Sequence, residues 1–172
     1  MLDGAHVRLR PWRTDDADAV FAACQDEDIQ RWTLVPVPYG REDAEAFVGS
    51  VAGTTSAEGC ALFAMEAGGV LAGSMGMHFL TDGLGAVGYW TAPHARGRGW
   101  TAEALRLLSR WAILERGATR LEAVVEPANT GSRRVAERAG YSEEGILRAR
   151  FLHRGRRVDV VMYSLLSTDL AR

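Results

Sequence analysis

The stretch "GYWTAPHARGRGWTAEAL" spans residues 88–105. It runs from an apolar, strand-like start through two glycines set between arginines into the opening of a helix. The first N–H groups of a helix have no intrahelical partner, and the helix dipole favours negative charge there. Gly97 and Gly99 would let a ligand approach the backbone with no Cβ in the way, and Arg96 and Arg98 would add fixed positive charge. The combination points to a bound anion, with a diphosphate as its natural guest. A plain glycine turn with solvated arginines is the alternative. Gly97, Gly99 and Ala102 also satisfy the G-x-G-x-x-G/A spacing of dinucleotide sites. Three features weigh against that reading. Thr91 to Arg96 intervene between the strand and the first glycine, hairpins lie on both sides instead of repeated strand–helix units, and Glu122 falls near the start of its strand. Glu126 is better placed for a ribose but is followed by Pro127. No Gly-Lys-Ser/Thr is present, which excludes a Walker loop.

Working outward, the strand of this unit is 86–91 and its helix runs from about Gly99 to Arg116. The helix stripe is Ala104, Leu105, Leu108, Trp111, Ala112 and Leu114, and Gly117 ends it. Upstream, 6–12 alternates as a strand closed by Pro11. Residues 14–26 read as a helix capped by Thr14, 31–40 as a proline-containing loop or lid, and 41–53 as a second helix. Residues 60–80 read as two strands about a Gly68-Gly69 turn. Downstream, 119–127 is a strand and 129–140 a short helix capped by Asn129. Two closing strands, 145–153 and 157–166, flank Gly155. The expected fold is a single α/β (α+β) domain over 1–172, with a mixed, mostly antiparallel sheet of about seven strands and four helices.

The chain has 172 residues, 47% apolar and 24% charged, with a formal net charge of −2. That suits a soluble globular domain and excludes a global basic field for nucleic acid or an acidic membrane. Cys24 and Cys60 match no disulfide or metal spacing and read as reduced, buried residues. With no signal peptide or apolar run of spanning length, a cytoplasmic location is expected.

The segment 88–105 resembles the acyl-CoA-binding segment of the GNAT acyltransferases, whose Q/R-x-x-G-x-G/A pattern is matched by Arg96, Gly97, Arg98, Gly99 and Trp100. Thr101 departs from it at the last position. "VRLRPWRTDDADAVF" (7–21), "DIQRWTLVPVPY" (28–39), "NTGSRRVAERAGYSEEG" (129–145) and "LRARFLHRGRRVDVVMYSLL" (147–166) resemble the branch containing the ribosomal-protein N-terminal acetyltransferases. The resemblance implies acyl transfer, usually acetyl, from coenzyme A to an amine. It also implies a splayed strand pair, 86–91 and 120–126, holding the pantetheine. Coenzyme-binding residues would then be Tyr89, Trp90, Thr91, Arg96, Gly97, Arg98, Gly99, Trp100, Thr101 and Asn129, with acetyl-CoA as co-substrate and no metal.

The chemistry needs a neutral amine, stabilisation of the tetrahedral oxyanion and departure of a thiolate. The family often carries a tyrosine seven residues after the asparagine. Here that position is Ala136, whereas Ser132 matches the serine of the ribosomal branch and would hydrogen-bond the thiolate. Where some relatives carry a catalytic glutamate, this chain has Ala86. His78 and Glu66 on neighbouring strands are substitutes, and water is a third. Trp32, Tyr39, Phe151 and Asp159 are the candidate acceptor-pocket residues. Expected partners are an amine-bearing small molecule, a peptide or a protein N-terminus, for a monomer or homodimer with no nucleic acid or membrane partner. The rival reading, raised by the missing acid and base, is a non-catalytic acyl-CoA-binding regulatory module.

Overall fold

Alternating apolar residues place one face of each strand against helices, and the strands assemble edge to edge. The computed structural model describes residues 1–52, 56–57 and 59–171. Its strands are β1 (Leu2–Asp3), β2 (Arg8–Arg10), β3 (Ser56–Ala57), β4 (Cys60–Ala67), β5 (Val70–Phe79), β6 (Leu84–Thr91), β7 (Arg120–Val125), β8 (Ser142–His153) and β9 (Arg156–Leu166). They form one sheet in the order β1-β2-β4-β5-β6-β7-β9-β8, with β3 beside β4. The helices are α1 (Ala17–Ala23), α2 (Glu27–Trp32), α3 (Arg41–Val51), α4 (Trp100–Arg116) and α5 (Thr130–Arg138). The expected mixed, mostly antiparallel architecture is present.

Two cores cover the two faces. Met75, Met77, Leu121, Ala123 and Tyr163 pack against Leu105, Leu108 and Ala112 of α4. On the opposite face Trp12, Ala64 and Ala92 pack against Val20, Ile29, Ala44 and Val48 of α1 to α3. β6 and β7 are joined by the strand–helix–strand crossover through α4 and run parallel. They pair only at Leu84↔Arg120, Gly85↔Leu121 and Ala86↔Glu122. Beyond Ala86, β6 continues its pairing with β5 as far as Thr91, while β7 continues with β9. The two strands therefore part in the middle of the sheet, and edge groups of residues 87–91 and 123–125 are left without ladder partners.

Several expectations are corrected. Residues 14–26 do not form one helix. A 3-10 turn at Thr14–Asp16 leads into α1, and the cap is the Asp16 carboxylate accepting the Arg13 N–H at 2.8 Å, not Thr14. Asp26 opens a separate helix by accepting the Ile29 N–H at 2.9 Å, so α2 occupies the start of the stretch read as a loop. An Asp followed by Glu27 and Asp28 is a helix-start pattern that the downstream prolines obscured. Leu114 lies off the buried stripe of α4 at 66% exposure, and Ile113 is buried in its place. Cys24 is buried but Cys60 only half so, and both are free. Gly117, at φ 72°, ends α4 as expected.

One buried ion cluster ties β2 to the turn that leads into α1 and to β4. Arg10 is 3% exposed. Its guanidinium donates to both Asp16 carboxylate oxygens at 2.8 and 2.7 Å, and to Glu66 at 2.6 Å. Burial alone would raise the Asp16 pKa, but bonds from Arg10 and from the Arg13 N–H outweigh it and hold the carboxyl below its ordinary range.

Candidate functional site

The parting of β6 and β7 opens a cleft of about 650 Å³. Its walls are β6 from Val87 to Thr91, β7 from Ala123 to Val125, and Glu126 just beyond it. One end is closed by the start of α5, with Asn129 and Ser132, and another by Gly97 and Thr101 before and within α4. Of the residues singled out from sequence, the cleft brings together Trp32, Tyr89, Trp90, Thr91, Arg96, Gly97, Thr101, Asn129, Ser132 and Phe151.

The glycine turn has the required geometry. Gly97 and Gly99 lie at φ 75° and 79°, and a Cβ built on either meets nothing within 4 Å. The space outside these backbones is open to a ligand, at a conformation side-chain-bearing residues disfavour. Gly99 precedes α4 in the left-handed region, so the first-turn N–H groups face outward with no side-chain cap. An anion fits this cradle. The arginines behave differently from each other. Arg96 lines the cleft but is held by Asp26 at 2.5 Å and Asp28 at 3.3 Å. Arg98 donates to the His94 carbonyl at 3.3 Å and lies over the Trp100 ring, 4.9 Å from its centroid. Arg98, Gly99 and Trp100 are not among the residues lining the cleft. Trp100 packs on the main core. Thr101, the departure from the family pattern, has a local reason: its hydroxyl bonds that of Thr91 at 2.7 Å and fastens α4 to β6.

Asn129 caps α5 through its Oδ1, which accepts the Ser132 N–H at 3.1 Å. The same contact fixes Ser132 on the cleft wall. The Ser132 hydroxyl lies 3.0 Å from the Tyr89 hydroxyl, which also donates to the Ser132 carbonyl at 3.1 Å. Burial pushes the Tyr89 phenol up to about 12, against a pull downward from the Ser132 bond. Tyr89 is therefore neutral at physiological pH and serves the serine as a hydrogen-bonding partner. This pairing was not legible in sequence, because the two residues lie on different elements.

Four expected residues fall elsewhere. Glu66 is bound by Arg10 and stands 3.9 Å from Arg13, lining neither this cleft nor the cavity beside it. Asp159 accepts the Ala149 N–H at 2.8 Å, where β8 bulges and Ala149 takes φ 51°. That carboxylate supports the bulge and does not face the cleft. His78 and Tyr39 line a second cavity, which adjoins the cleft and shares Thr33, Leu34, Gly88, Tyr89 and Trp90 with it.

The structure adds residues that the sequence reading did not assign to an acyl-transfer site. Glu126 enters the cleft at the end of β7 with its carboxylate on His153 Nδ1, and His153 Nε2 faces the Thr33 carbonyl at 3.2 Å. Arg154 donates to the carbonyls of Gln30, Thr33 and Val35 at 2.7, 3.3 and 2.9 Å. The tip of the β8–β9 hairpin is thereby strapped to the segment after α2, over the mouth of the site. His153 and Thr33 are 120 residues apart, and no local pattern signals the contact.

Comparison with known proteins gives a consistent picture. Residues 6–142 match the family model described as acetyltransferase (GNAT) domain. The N-acetyltransferase p20 of Bacillus licheniformis is 27% identical over 171 residues, covering 96% of this chain and 95% of that one. A GCN5-related N-acetyltransferase from Brucella melitensis superposes with a TM-score of 0.82 at 26% identity, over 99% of this chain and 80% of that one. A GNAT-family acetyltransferase from Bacillus anthracis shares the fold with a TM-score of 0.84 at 22% identity, over 97% and 98%. Among the described residues no cluster of metal-ligating side chains occurs, and no helix is long and apolar enough to cross a membrane.

Proposed function

The chain belongs to the GNAT acetyltransferase family, and on that premise we propose that it transfers an acetyl group from acetyl coenzyme A to a primary amine, by direct attack in a ternary complex. The acceptor is a small molecule, or a peptide or protein N-terminus as in the ribosomal branch that the sequence resembles. The observation that carries this reading is the parting of β6 and β7 after Ala86 and Glu122. An extended pantetheine amide chain can pair there with backbone groups that no neighbouring strand uses. The glycine cradle at Gly97 and Gly99 would take the diphosphate.

A backbone N–H in the stretch Tyr89–Thr91 is assigned to the thioester oxygen. A fixed donor aimed at developing charge is worth roughly 3 kcal/mol. Ser132 is assigned to the departing thiolate, held in place by Tyr89 and by the Asn129 cap. A thiolate with a pKa near about 8.5 needs a hydrogen bond more than a strong acid. Glu126 faces the cleft, where its negative charge attracts an ammonium group before deprotonation. The amine's proton is assigned to His78, whose imidazole can accept a proton and which lines the adjoining cavity.

The general test is release of coenzyme A, followed with a thiol reagent against a panel of amines. Tight binding of acetyl-CoA with no turnover on any amine would favour a non-catalytic acyl-CoA-binding module. Ser132→Ala should lower kcat about tenfold or more, as expected for loss of a hydrogen bond to a charged group, while leaving coenzyme affinity near that of the wild type. Asn129→Ala should chiefly raise the coenzyme dissociation constant and cost about 1 kcal/mol of stability through the lost cap. Wild-type kinetics in both variants would reject these assignments.

His78→Ala should remove most of the turnover and the limb of the pH–rate profile that the imidazole supplies. Two acceptors of different amine pKa make the test decisive. A profile that follows the amine's own pKa in both wild type and variant would transfer the role to solvent water.

A further inference from the structure

The second cavity, of about 550 Å³, lies between helices α1 and α3 and the sheet and opens beside the cleft. Its volume falls within the roughly 300–1,000 Å³ of small-molecule sites. Its floor is made by two glycines directly opposite each other, Gly76 on β5 and Gly88 on β6. A Cβ at Gly88 would meet nothing within 4 Å. The open space over β6 is thus a consequence of the missing side chain at Gly88, which also borders the cleft, whereas the Cβ direction of Gly76 is already filled by Leu62. The walls are apolar: Val20, Leu34, Pro36, Phe47, Leu62 and Trp90.

Its polar lining includes Cys24, Tyr39, Asp43 and the assigned base His78. Burial pushes the Cys24 thiol up to about 11, against a bond with Tyr39 that lowers it. Burial also raises the Tyr39 phenol, with the neighbouring Cys24 adding to the rise. Both stay neutral at physiological pH. Among the described lining residues Asp43 supplies the carboxylate, and one of its oxygens already accepts the Gly40 N–H at 2.8 Å. A polyamine or aminoglycoside bound here would bury several ammonium groups against that one carboxylate, at a cost of several kcal/mol for each unpaired charge. An apolar group entering the same space leaves water at a gain of about 25 cal/mol per Å².

Resting on the acetyl-transfer reading of the adjoining cleft, we propose that this cavity holds the body of the acceptor, and that the acceptor is a primary monoamine carrying one compact apolar or aromatic group. The amine points across Gly88 toward the cleft, and the apolar group lies on the glycine floor under α3. The amine nitrogen forms the new bond to the acetyl carbon, the thioester carbon–sulfur bond breaks, the sulfur leaves as thiolate, and the nitrogen loses one proton. The same chemistry is offered by a free arylalkylamine and by a peptide whose first residue is aromatic.

Ala46 lines the cavity from an exposed position on α3, so a larger side chain there fills the cavity without entering the core. The full chain is tested with acetyl-CoA against phenethylamine, the peptide amide Phe-Gly-Gly, spermidine and an aminoglycoside. One aromatic acceptor should exceed both polycations at least tenfold in kcat/KM, and which of the two leads separates a free amine from a peptide terminus. Ala46→Phe should raise KM for that acceptor at least tenfold with KM for acetyl-CoA unchanged. Calorimetry of phenethylamine binding in the presence of coenzyme A provides a readout independent of turnover. Binding that Ala46→Phe weakens, without acetylation of any amine, would support the pocket and sink the transferase reading. Preference for spermidine or the aminoglycoside, an unchanged acceptor KM in Ala46→Phe, or no binding of either aromatic probe would overturn the pocket assignment.

Discussion

Valine in place of Gly97 or Gly99 should weaken coenzyme A binding more than tenfold, a loss of at least about 1.4 kcal/mol. Both glycines occupy the left-handed region, and the volume where a side chain would project is open. A β-branched residue acts there twice. It resists the positive φ by roughly 1–2 kcal/mol, and it places carbon atoms where the diphosphate must approach the backbone. The two effects separate with a control. Gly117, at φ 72° and also in open space, ends α4 at the opposite terminus from the cradle. Gly117→Val should lower the melting temperature by a similar amount and leave coenzyme affinity intact. Calorimetric titration of the folded variants reads the difference. Equal affinity in all three variants would remove the diphosphate from this turn.

The largest loss of stability is expected from Arg10→Met. The substitution keeps much of the side chain's volume but leaves Asp16 buried without its guanidinium partner and Glu66 without its nearest cation. Breaking a buried pair from one side costs about 3–5 kcal/mol, which in a chain of this size lowers Tm by roughly 10 °C. The pH dependence carries a distinct signature. Asp16 has its pKa lowered in the folded protein. Its contribution is therefore present above the unfolded carboxylate value of about 3.9 and is lost as pH falls through the lower folded value. In Arg10→Met the burial effect dominates, the folded pKa rises above the unfolded one, and protonation then favours the folded state. The variant's deficit should shrink as pH falls from 7 toward 4. Thermal melts across that range measure it, and a deficit that is constant with pH would show that the cluster contributes packing alone.

The ion cluster also bears on the site. It anchors β2 to the turn that leads into α1 and holds Glu66 on Arg10, outside the lining of the cleft. A carboxylate that seemed available for proton transfer is instead engaged in keeping the helical layer on the sheet. Of that layer, α1 and α3 form the outer wall of the second cavity. Destabilising the cluster should loosen the acceptor side before the glycine cradle, whose backbone is set by α4 and the main core.

Features encoded over a few residues were legible in the chain itself. The G-x-G turn, the Gly68-Gly69 hairpin, the Asn129 cap, the Gly117 stop and the alternation of the strands each depend on neighbours close in sequence. From them the mixed sheet, its order of elements and the anion cradle follow. The two short strands β1 and β3 and the one-turn start of α2 were missed because such brief segments carry little periodicity. What the tertiary structure alone decided is the use of each side chain. Residues 87–91 and 123–125 read as ordinary strands, and only the failure of β6 to continue pairing with β7 makes them cleft walls. Asp159 and Glu66 read as available carboxylates until a bulge N–H and a buried guanidinium occupied them. Tyr89 reached Ser132, and Glu126 reached His153 and through it the Thr33 carbonyl, across separations of 43, 27 and 120 residues. Local patterns record backbone conformation and capping, whereas partners brought together by sheet order leave no trace along the chain, and those partners determine which groups remain free to face a substrate.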